Sequence, residues 1–468
     1  MASDEIAAPA AFDLERHFHL VFLALALPIG LCYVFLSAPF NVPDEHTHFF
    51  RVYHLSEGKL IAEKRGDATG APLPASLGES TFIYTQAIWQ KHDGKIPPGL
   101  INATLSIPLS PRDTVFTAFS NTALYPIVPY IPHTLGVGIG RVLNVSPLHL
   151  LYIGRLFSFL TALVLLTFAF RLLPVLKPFF MLVVLTPTSM YQLASLSADS
   201  TTIAASILFI AMALRFAYGK DGELGWKSFG ILLVLSIVIS LSKSAYFLLP
   251  LLIFIVPRAK FSRENLHLPL RLAVVLSGWF ALMIWASMVG DIYSPAYSLE
   301  QIDPEGAKNF ILESPFRFLW ILIAVTARDF WYWIELFIGI QEWDIIVLPL
   351  WNIILYAGLL LASLVVIKRD AAAIEAKTKW IGALVGWATL GVVMTAVYIS
   401  WMPVGSLDLN AMQGRYLVPF LPLMLIPFAG LVRISREMHS YVSYAAFTLA
   451  AGSLLHALIL NYLRYYTM

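Results

Sequence analysis

The sequence predicts an all-α protein that crosses a membrane many times, and its composition and hydropathy pattern carry this prediction. Of the 468 residues, 58% are hydrophobic and 13% are charged, and the mean hydropathy is +0.74, far from a soluble domain. The apolar residues come in runs of about 17–25, the length that an α-helix needs to cross a ~30 Å hydrocarbon core. The ten-residue alternation of a membrane β-barrel is not seen. The predicted fold class is therefore a polytopic helical bundle.

Charge and cysteine content narrow the function classes. The formal net charge is only +2, and no basic run with interleaved aromatic residues occurs, so nucleic acid is not an expected partner. The single cysteine, Cys32, lies in the first apolar run, which excludes an intrachain disulfide. Acidic residues rather than a basic signal sequence begin the chain, so 19–38 is predicted to be a retained first helix.

The distribution of Lys and Arg predicts the orientation of the loops, because short positively charged loops face the cytoplasm. The basic loops are residues 171–177, 215–227, 258–271, 368–379 and 433–436. Alternation between the two sides then gives about eleven transmembrane helices. The predicted spans are residues 19–38, 148–172, 174–191, 201–216, 226–241, 244–256, 272–289, 349–367, 380–400, 416–432 and 441–463.

The chain divides accordingly into a cytoplasmic tail, groups of spans and two outer loops. These parts are the tail 1–18, the first span 19–38, the outer loop 39–147, spans two to seven in 148–289, the outer loop 290–345 and spans eight to eleven in 346–468. The first outer loop is too long for a passive connection. Interfacial helices are predicted at 44–57 and 124–142, with an irregular middle at 61–113. In the second outer loop, helices are expected to lie on or dip into the outer leaflet.

The most reactive side chains directly follow the first span, in NVPDEHTHFFRVYHLSEGKL. Asp44 and Glu45 fit the start of a helix, where an Asp caps the first turn and acidic charge suits the helix dipole. They also fit a general base, or with His48 a site for a divalent cation such as Mg²⁺ or Mn²⁺. His46 and His48 diverge by about 200° on a helix, so a zinc site formed by both is not expected.

Four ionisable residues are predicted within the membrane near its outer face, where such residues are costly and usually functional. They are Arg155, Asp199, Lys243 and Arg415. Structural alternatives exist, because an Arg can extend to lipid headgroups and Asp199 can cap a helix. Three cations near a carboxylate pair nevertheless suit a phosphate leaving group and an acceptor hydroxyl.

A series of motifs extends this pattern along most of the chain, from about residue 43 to 422. In order, they are PDEHTHFFRVYHLSEG, YPIVPYIPHTLGVGIGRVL, LLYIGRLFSFL, SMYQLASLSADS, SKSAYFLLPLL, FIGIQEWD and QGRYLVPFLPL. This series resembles a family of bacterial membrane proteins known as a domain of unknown function and grouped with the GT-C glycosyltransferases. Departures occur at His46 and Thr47, where the family commonly has Pro and Ala, and at Gln341 and Glu342, where a glycine-containing form is usual.

The resemblance implies a GT-C-like fold and an inverting glycosyltransferase in the bacterial inner membrane. Such an enzyme takes a sugar from a polyprenyl-phosphate carrier on the periplasmic side. It transfers that sugar to a hydroxyl of an envelope glycan, a lipid or a protein, so membrane lipids surround both substrates.

The resemblance also implies roles for individual residues. Asp44, with Glu45 beside it, corresponds to the catalytic acidic residue of the first outer loop, and Lys243 to a residue that contacts the lipid phosphate. Arg155 and Arg415 are added as phosphate-binding candidates because of their charge and predicted depth. His48, Arg51 and Tyr125 are candidate contacts for the acceptor or a metal.

Two other functions use similar residues. A transporter or flippase for a lipid-linked or anionic substrate would also need buried cations, but often has paired broken helices in two related halves, which this sequence does not show. A polysaccharide polymerase or ligase would share the large outer loop. The position of the PDE motif directly after the first span favours the glycosyltransferase.

Overall fold

The structure, a computed structural model, describes residues 13–88, 94–219, 222–294, 302–341 and 345–467, which are mostly helical. The α-helices are α1 (Phe18–Leu36), α2 (Glu45–Ser56), α3 (Ala75–Ile88), α4 (Leu100–Leu105), α5 (Ser120–Ala123), α6 (Ile131–Val142), α7 (Pro147–Leu172), α8 (Lys177–Val184), α9 (Pro187–Leu193), α10 (Ala198–Tyr218), α11 (Trp226–Ser242), α12 (His267–Val289), α13 (Pro304–Glu313), α14 (Pro315–Ile338), α15 (Leu350–Val365), α16 (Ala376–Trp401), α17 (Leu421–Leu425) and α18 (Arg436–Tyr466). Residues 1–12 of the predicted tail and 342–344 of the FIGIQEWD motif lie outside the described ranges.

Shorter elements connect these helices. The 3-10 helices are Val128–Tyr130, Ser244–Tyr246, Leu249–Ile255, Arg258–Lys260, Glu264–Leu266, Gly290–Ile292, Gly414–Tyr416 and Ile426–Phe428. The strands are β1 (Glu63–Arg65), β2 (Ala68–Pro74), β3 (Thr114–Ala118), β4 (Ile340–Gln341), β5 (Ile346–Val347), β6 (Val366–Lys368) and β7 (Val432–Ile434).

The long apolar helices confirm a multi-pass membrane protein. Within the described residues, six helices are long and apolar enough to span a bilayer, or up to seven if α13 and α14 form one span bent by 107°. The six are α1, α7, α10, α12 with its flanking turns, α16 and α18. The predicted count of eleven is therefore not confirmed, because several predicted spans are short or broken in the structure.

Prolines account for much of the difference between the two counts. The predicted span 174–191 consists of two short helices, α8 and α9, and the second begins at Pro187. The predicted span 416–432 is a 3-10 turn, the short helix α17 and another 3-10 turn, with prolines at the starts of the last two. Proline lacks the N–H that continues a helix. Both segments are largely buried inside the protein, where irregular backbone is tolerated at membrane depth.

The first outer loop is more ordered than its composition indicates. Helix α2 confirms that residues within 44–57 are helical, while the second predicted helix begins at Ile131, after a 3-10 turn, instead of at 124. The prediction of an irregular middle is wrong, because β1, β2 and β3 form an antiparallel sheet and α3 and α4 are helical. A hairpin turn at Gly66, with φ of +59°, joins the first two strands.

Three of the basic loops predicted to face the cytoplasm, 215–227, 368–379 and 433–436, contact one another at one end of the helices. Lys368 forms an ion pair with Glu15, and strand β6 pairs in parallel with β7. The Tyr218 hydroxyl donates a hydrogen bond to Thr378 Oγ1, at 2.6 Å. These contacts bring three of the basic loops and residue 15 together at the same end of the helices.

Helix α10 lies at the centre of the fold and carries a site residue in its first turn. Its span is 89% buried, compared with 28% for α1. Side chains of α7, α10 and α16 belong to one large apolar core, and a second core lies beneath the outer loop. The first turn of α10 lies close to both cores, because Ala198 packs in the second and Ile203 in the first.

Candidate active site

Asp44 does not act as the cap of helix α2, although it occupies the capping position. Its backbone is left-handed, with φ of +67°, and its side chain makes no capping hydrogen bond to the described residues. The carboxylate instead accepts hydrogen bonds from Asn121 Nδ2 at 3.1 Å and from Arg415 Nη2 at 3.3 Å. A left-handed backbone is unfavourable for a residue other than glycine and is often found at functional sites.

Asp44 belongs to a connected set of four charged side chains, which we call the charge network. Arg415 Nε lies 3.2 Å from Asp199 Oδ2, and the other Asp199 oxygen pairs with the Lys243 ammonium. The charge network therefore runs from Asp44 through Arg415 and Asp199 to Lys243. It contains two positive and two negative groups, so its formal charge is zero.

Local structure explains why Asp199 and Lys243 are available for this network. The cap of α10 is Ser197, whose hydroxyl accepts a hydrogen bond from the Asp199 amide, so the Asp199 carboxylate is not needed there. Lys243 follows the last residue of α11 in an extended conformation. Its ammonium lies 4.4 Å from the centre of the Tyr416 ring, a favourable cation–π distance.

Gly414 positions Arg415 by allowing its turn to approach helix α14 closely. A Cβ atom on Gly414 would lie 2.1 Å from the backbone carbonyl of Leu336. Only glycine can occupy this position without a shift of one of the two segments. The side chain of Arg415 is 95% buried and also donates to the Pro43 carbonyl at 3.3 Å.

Two clefts border the charge network. The first, which we call the amide cleft, has a volume of about 500 Å³ and is lined by Asp44, Arg415 and several carboxamide side chains. The second, which we call the apolar cleft, has about 430 Å³ and is lined by Lys243 and by apolar side chains of α11, α12 and α16. Trp401 and Tyr416 line both clefts and thus stand between them.

Glu45 and Arg155 form a buried ion pair that is separate from the charge network. Both side chains are fully buried, and Arg155 Nε donates to Glu45 Oε1 at 2.7 Å. The guanidinium also donates to the carbonyl oxygens of Val34, Ser37 and Ala38, at 3.1, 2.9 and 3.2 Å. The pair thus fastens the end of α1 to α2 and α7. This geometry does not favour the predicted catalytic role of Glu45 or the predicted phosphate-binding role of Arg155.

We expect the Glu45→Gln variant to be less stable by about 3–5 kcal/mol, because it leaves the buried Arg155 charge without its partner. Thermal unfolding of the purified protein in detergent measures this effect. The matched control is Glu63→Gln, which breaks an Arg–Glu pair of 2.8 Å that is half exposed and should cost under about 1 kcal/mol. If the Glu45→Gln protein is as stable as the wild type but inactive, the structural role is wrong and Glu45 is again a candidate catalytic residue.

Arg51 and His48 have structural partners in the outer loop. Arg51 is buried and donates to the carbonyl oxygens of Tyr125, at 2.7 and 3.1 Å, and of Leu60, at 2.8 Å. His48 Nδ1 lies 2.6 Å from the Tyr130 hydroxyl. Burial lowers the pKa of His48 to about 4, so this imidazole is neutral at neutral pH. Of the predicted acceptor contacts, Tyr125 alone lines a cleft, the apolar one.

The predicted metal ligands are not brought together. In the part of the chain that the structure describes, no group of three or more His, Cys, Asp or Glu side chains is arranged to hold a metal ion. Glu45 faces Arg155, whereas Asp44 faces Asn121 and Arg415. The set of Asp44, Glu45 and His48 therefore does not fit Mg²⁺ or Mn²⁺ in this arrangement.

Sequence reasoning missed three side chains around the charge network. Asn121 holds the Asp44 carboxylate, Gln192 Oε1 accepts from Arg415 Nη1 at 3.4 Å, and Tyr416 lies under Lys243. Gln192 and Tyr416 lie inside the motifs SMYQLASLSADS and QGRYLVPFLPL, so their position in these motifs could have indicated them as site residues. Asn121 precedes its neighbouring motif, so nothing in the sequence indicated it.

The fold and this site define a multi-pass membrane protein with a charged, two-cleft site at one end of its helices. The chain belongs to the family described as predicted membrane protein DUF2142, whose profile matches residues 27–424. This range includes the entire charge network and both clefts. No curated protein and no solved structure matches the chain.

Proposed function

We propose that this protein is a GT-C-type glycosyltransferase that moves a sugar from a polyprenyl-phosphate donor to an acceptor hydroxyl on the outer side of the bacterial inner membrane. The observation that carries the proposal is the charge network, in which a partly exposed carboxylate is linked through Arg415 and Asp199 to a lysine in the apolar cleft. The ordered motifs of the sequence support the same class.

The apolar cleft suits the donor. Leu241, Leu282 and Val393 line it with apolar surface from three helices, which suits a polyprenyl chain. Lys243 lies in the same cleft and suits the phosphate, because an ammonium forms charge-assisted hydrogen bonds with phosphate oxygens. The donor would thus enter from the membrane with its head group directed at the charge network.

The proposed reaction is a single displacement with inversion. The acceptor oxygen attacks the anomeric carbon, the bond from that carbon to the phosphate oxygen breaks, and polyprenyl phosphate leaves. Asp44 takes the proton of the acceptor hydroxyl as general base. Lys243 and Arg415 stabilise the negative charge that forms on the leaving phosphate.

The neutral charge network is compatible with binding an additional anion. An ammonium has three N–H donors and a guanidinium has five, so both cations can keep Asp199 and still donate to phosphate. Asp199 would then act as a positioning residue that holds the two cations between the clefts. Its carboxylate is 6% exposed and contacts Lys243 and Arg415.

Reconstitution of the full chain in lipid nanodiscs tests this function. Synthetic polyprenyl phosphates that carry a labelled hexose or pentose are incubated with an envelope glycan extract, and mass spectrometry follows the release of polyprenyl phosphate and the labelled product. We expect the release to depend on both the protein and the acceptor. The opposite result is movement of the intact labelled lipid between leaflets of liposomes without release, which would support the flippase instead.

A further inference from the structure

The amide cleft has a chemical character that the proposed reaction does not by itself require. Its volume of about 500 Å³ falls in the range of roughly 300–1,000 Å³ that is typical of small-ligand sites. It adjoins Asp44, the proposed base, and lies across Trp401 and Tyr416 from the apolar cleft. It is therefore the place from which a second substrate can reach Asp44.

Carboxamides supply much of the polar lining of this cleft. Four line it, namely Gln192, Gln341, Asn410 and Gln413. Gln341 is only 1% exposed, and among the described residues its Oε1 atom has no hydrogen-bond partner. The buried Oε1 of Gln413 likewise has no partner within the described ranges. Buried acceptors without partners are rare and costly, which points to a ligand that supplies hydroxyl donors.

Aromatic side chains provide the remaining recognition surface. Tyr332, Trp401 and Tyr416 line the same cleft as the carboxamides. Their flat faces offer apolar surface to the C–H face of a sugar ring, while the carboxamides can accept from its hydroxyl groups. Flat apolar surface together with neutral hydrogen-bonding groups suits a ligand that has both an apolar C–H face and hydroxyl groups.

The charge of the lining argues against other ligands. Among the described lining residues only Asp44 and Arg415 are charged, and they pair with each other at 3.3 Å. Arg415 already contacts Asp44, Asp199 and Gln192, so an acidic acceptor would compete with the donor phosphate for its remaining N–H donors. A lipid chain would leave the buried carboxamides without hydrogen bonds. A neutral molecule with many hydroxyl groups fits this lining best.

We propose that the amide cleft binds the acceptor and that the acceptor is the neutral sugar terminus of a glycan. This inference rests on the proposed function and narrows it, because it selects a glycan over a lipid or protein hydroxyl. Gln341 and Gln413 accept hydrogen bonds from the sugar and thereby hold one of its hydroxyl groups beside Asp44. The donor and acceptor approach from opposite sides of Trp401 and Tyr416.

Saturation-transfer NMR on the full chain in nanodiscs, without any donor, tests this assignment. The probes are neutral hexose and pentose trisaccharides, a galacturonic acid trisaccharide and a serine-containing tripeptide. We expect binding of at least one neutral trisaccharide and weaker or no binding of the other two probes. Binding of the tripeptide or the acidic trisaccharide in preference to every neutral one would overturn the assignment.

Two variants connect the binding to the cleft. Gln341→Leu and Gln413→Met should each weaken trisaccharide binding by roughly three- to tenfold, the contribution of one neutral hydrogen bond. The control Gln86→Leu, on α3 and outside the cleft lining, should bind like the wild type. Unchanged trisaccharide binding in both cleft variants refutes the inference. If one variant does not fold, the other still tests it.

The same preparation separates this inference from the proposed function. Release of polyprenyl phosphate with transfer to a peptide or lipid hydroxyl would overturn the glycan acceptor while leaving the transferase standing. Sugar binding that the cleft variants weaken, in a protein that releases no polyprenyl phosphate from any donor, would overturn the transferase and with it the acceptor role of the cleft.

Discussion

The Asp44→Asn variant is expected to lose sugar transfer by roughly 10²–10⁴-fold, the usual contribution of a general base. The amide cannot take the proton of the acceptor hydroxyl. Asn is similar in shape to Asp and is among the residues most tolerant of the left-handed backbone found at this position. The variant should therefore fold normally, and its loss should appear in kcat and not in donor binding.

Steady-state release of polyprenyl phosphate in nanodiscs, at saturating donor and acceptor, measures this loss. The matched control is Asp113→Asn, which changes an exposed carboxylate of the same outer loop and should keep wild-type activity. Thermal unfolding of both variants checks that the fold is retained. Wild-type turnover in Asp44→Asn would remove Asp44 from the mechanism and leave its contacts with Asn121 and Arg415 as purely structural.

Residue type and topology predicted a substantial part of the site. Loop charge and the cost of ions in the membrane predicted that Asp44, Lys243 and Arg415 lie together near the outer face. The structure brings these three side chains into one network through Asp199. Asp199 was also predicted to be an ionisable residue within the membrane. The alternative prediction, that it caps a helix, is wrong, because Ser197 caps α10.

The separation of Asp44 from Glu45 was not predictable from the sequence. Two adjacent carboxylates in a sequence suggest that both belong to the same site. The left-handed backbone at Asp44 instead directs its carboxylate to Arg415. Glu45 lies in the first turn of α2 and faces Arg155. Because of this one backbone conformation, Asp44 lines the amide cleft and Glu45 is buried in the core. Such a conformation depends on tertiary contacts, which the local sequence does not encode.

The predicted count of eleven spans is not confirmed for a related reason. Length and hydropathy identify a long apolar helix that is mostly not buried, such as α1, which is 28% buried and has a mean hydropathy of 2.3. They do not distinguish it from an apolar segment that prolines break inside the bundle, such as α8 with α9, which is almost completely buried. Buried broken segments contribute side chains to the candidate site, since Gln192 of α9 contacts Arg415.

The Lys243→Met variant is expected to raise the KM for the polyprenyl-phosphate donor by roughly 10- to 100-fold, because a hydrogen bond to a charged group contributes about 1.5–3 kcal/mol. Met keeps much of the apolar stem of Lys and so preserves packing against Tyr416. Loss of the ammonium leaves Asp199 paired with Arg415 alone, so a smaller fall in kcat should accompany the change in KM.

Donor titrations at a fixed acceptor concentration measure the effect, with Lys243→Arg as a variant that keeps the charge. The control is Lys308→Met, which removes an exposed lysine of the second outer loop and should leave donor kinetics unchanged. Trisaccharide binding in the amide cleft should be the same in all three variants, because Lys243 lines only the apolar cleft. If Lys243→Met keeps the wild-type donor KM, the phosphate must bind elsewhere. Arg415, which borders the amide cleft, would then be its remaining partner in the charge network, and both substrates would have to share that cleft.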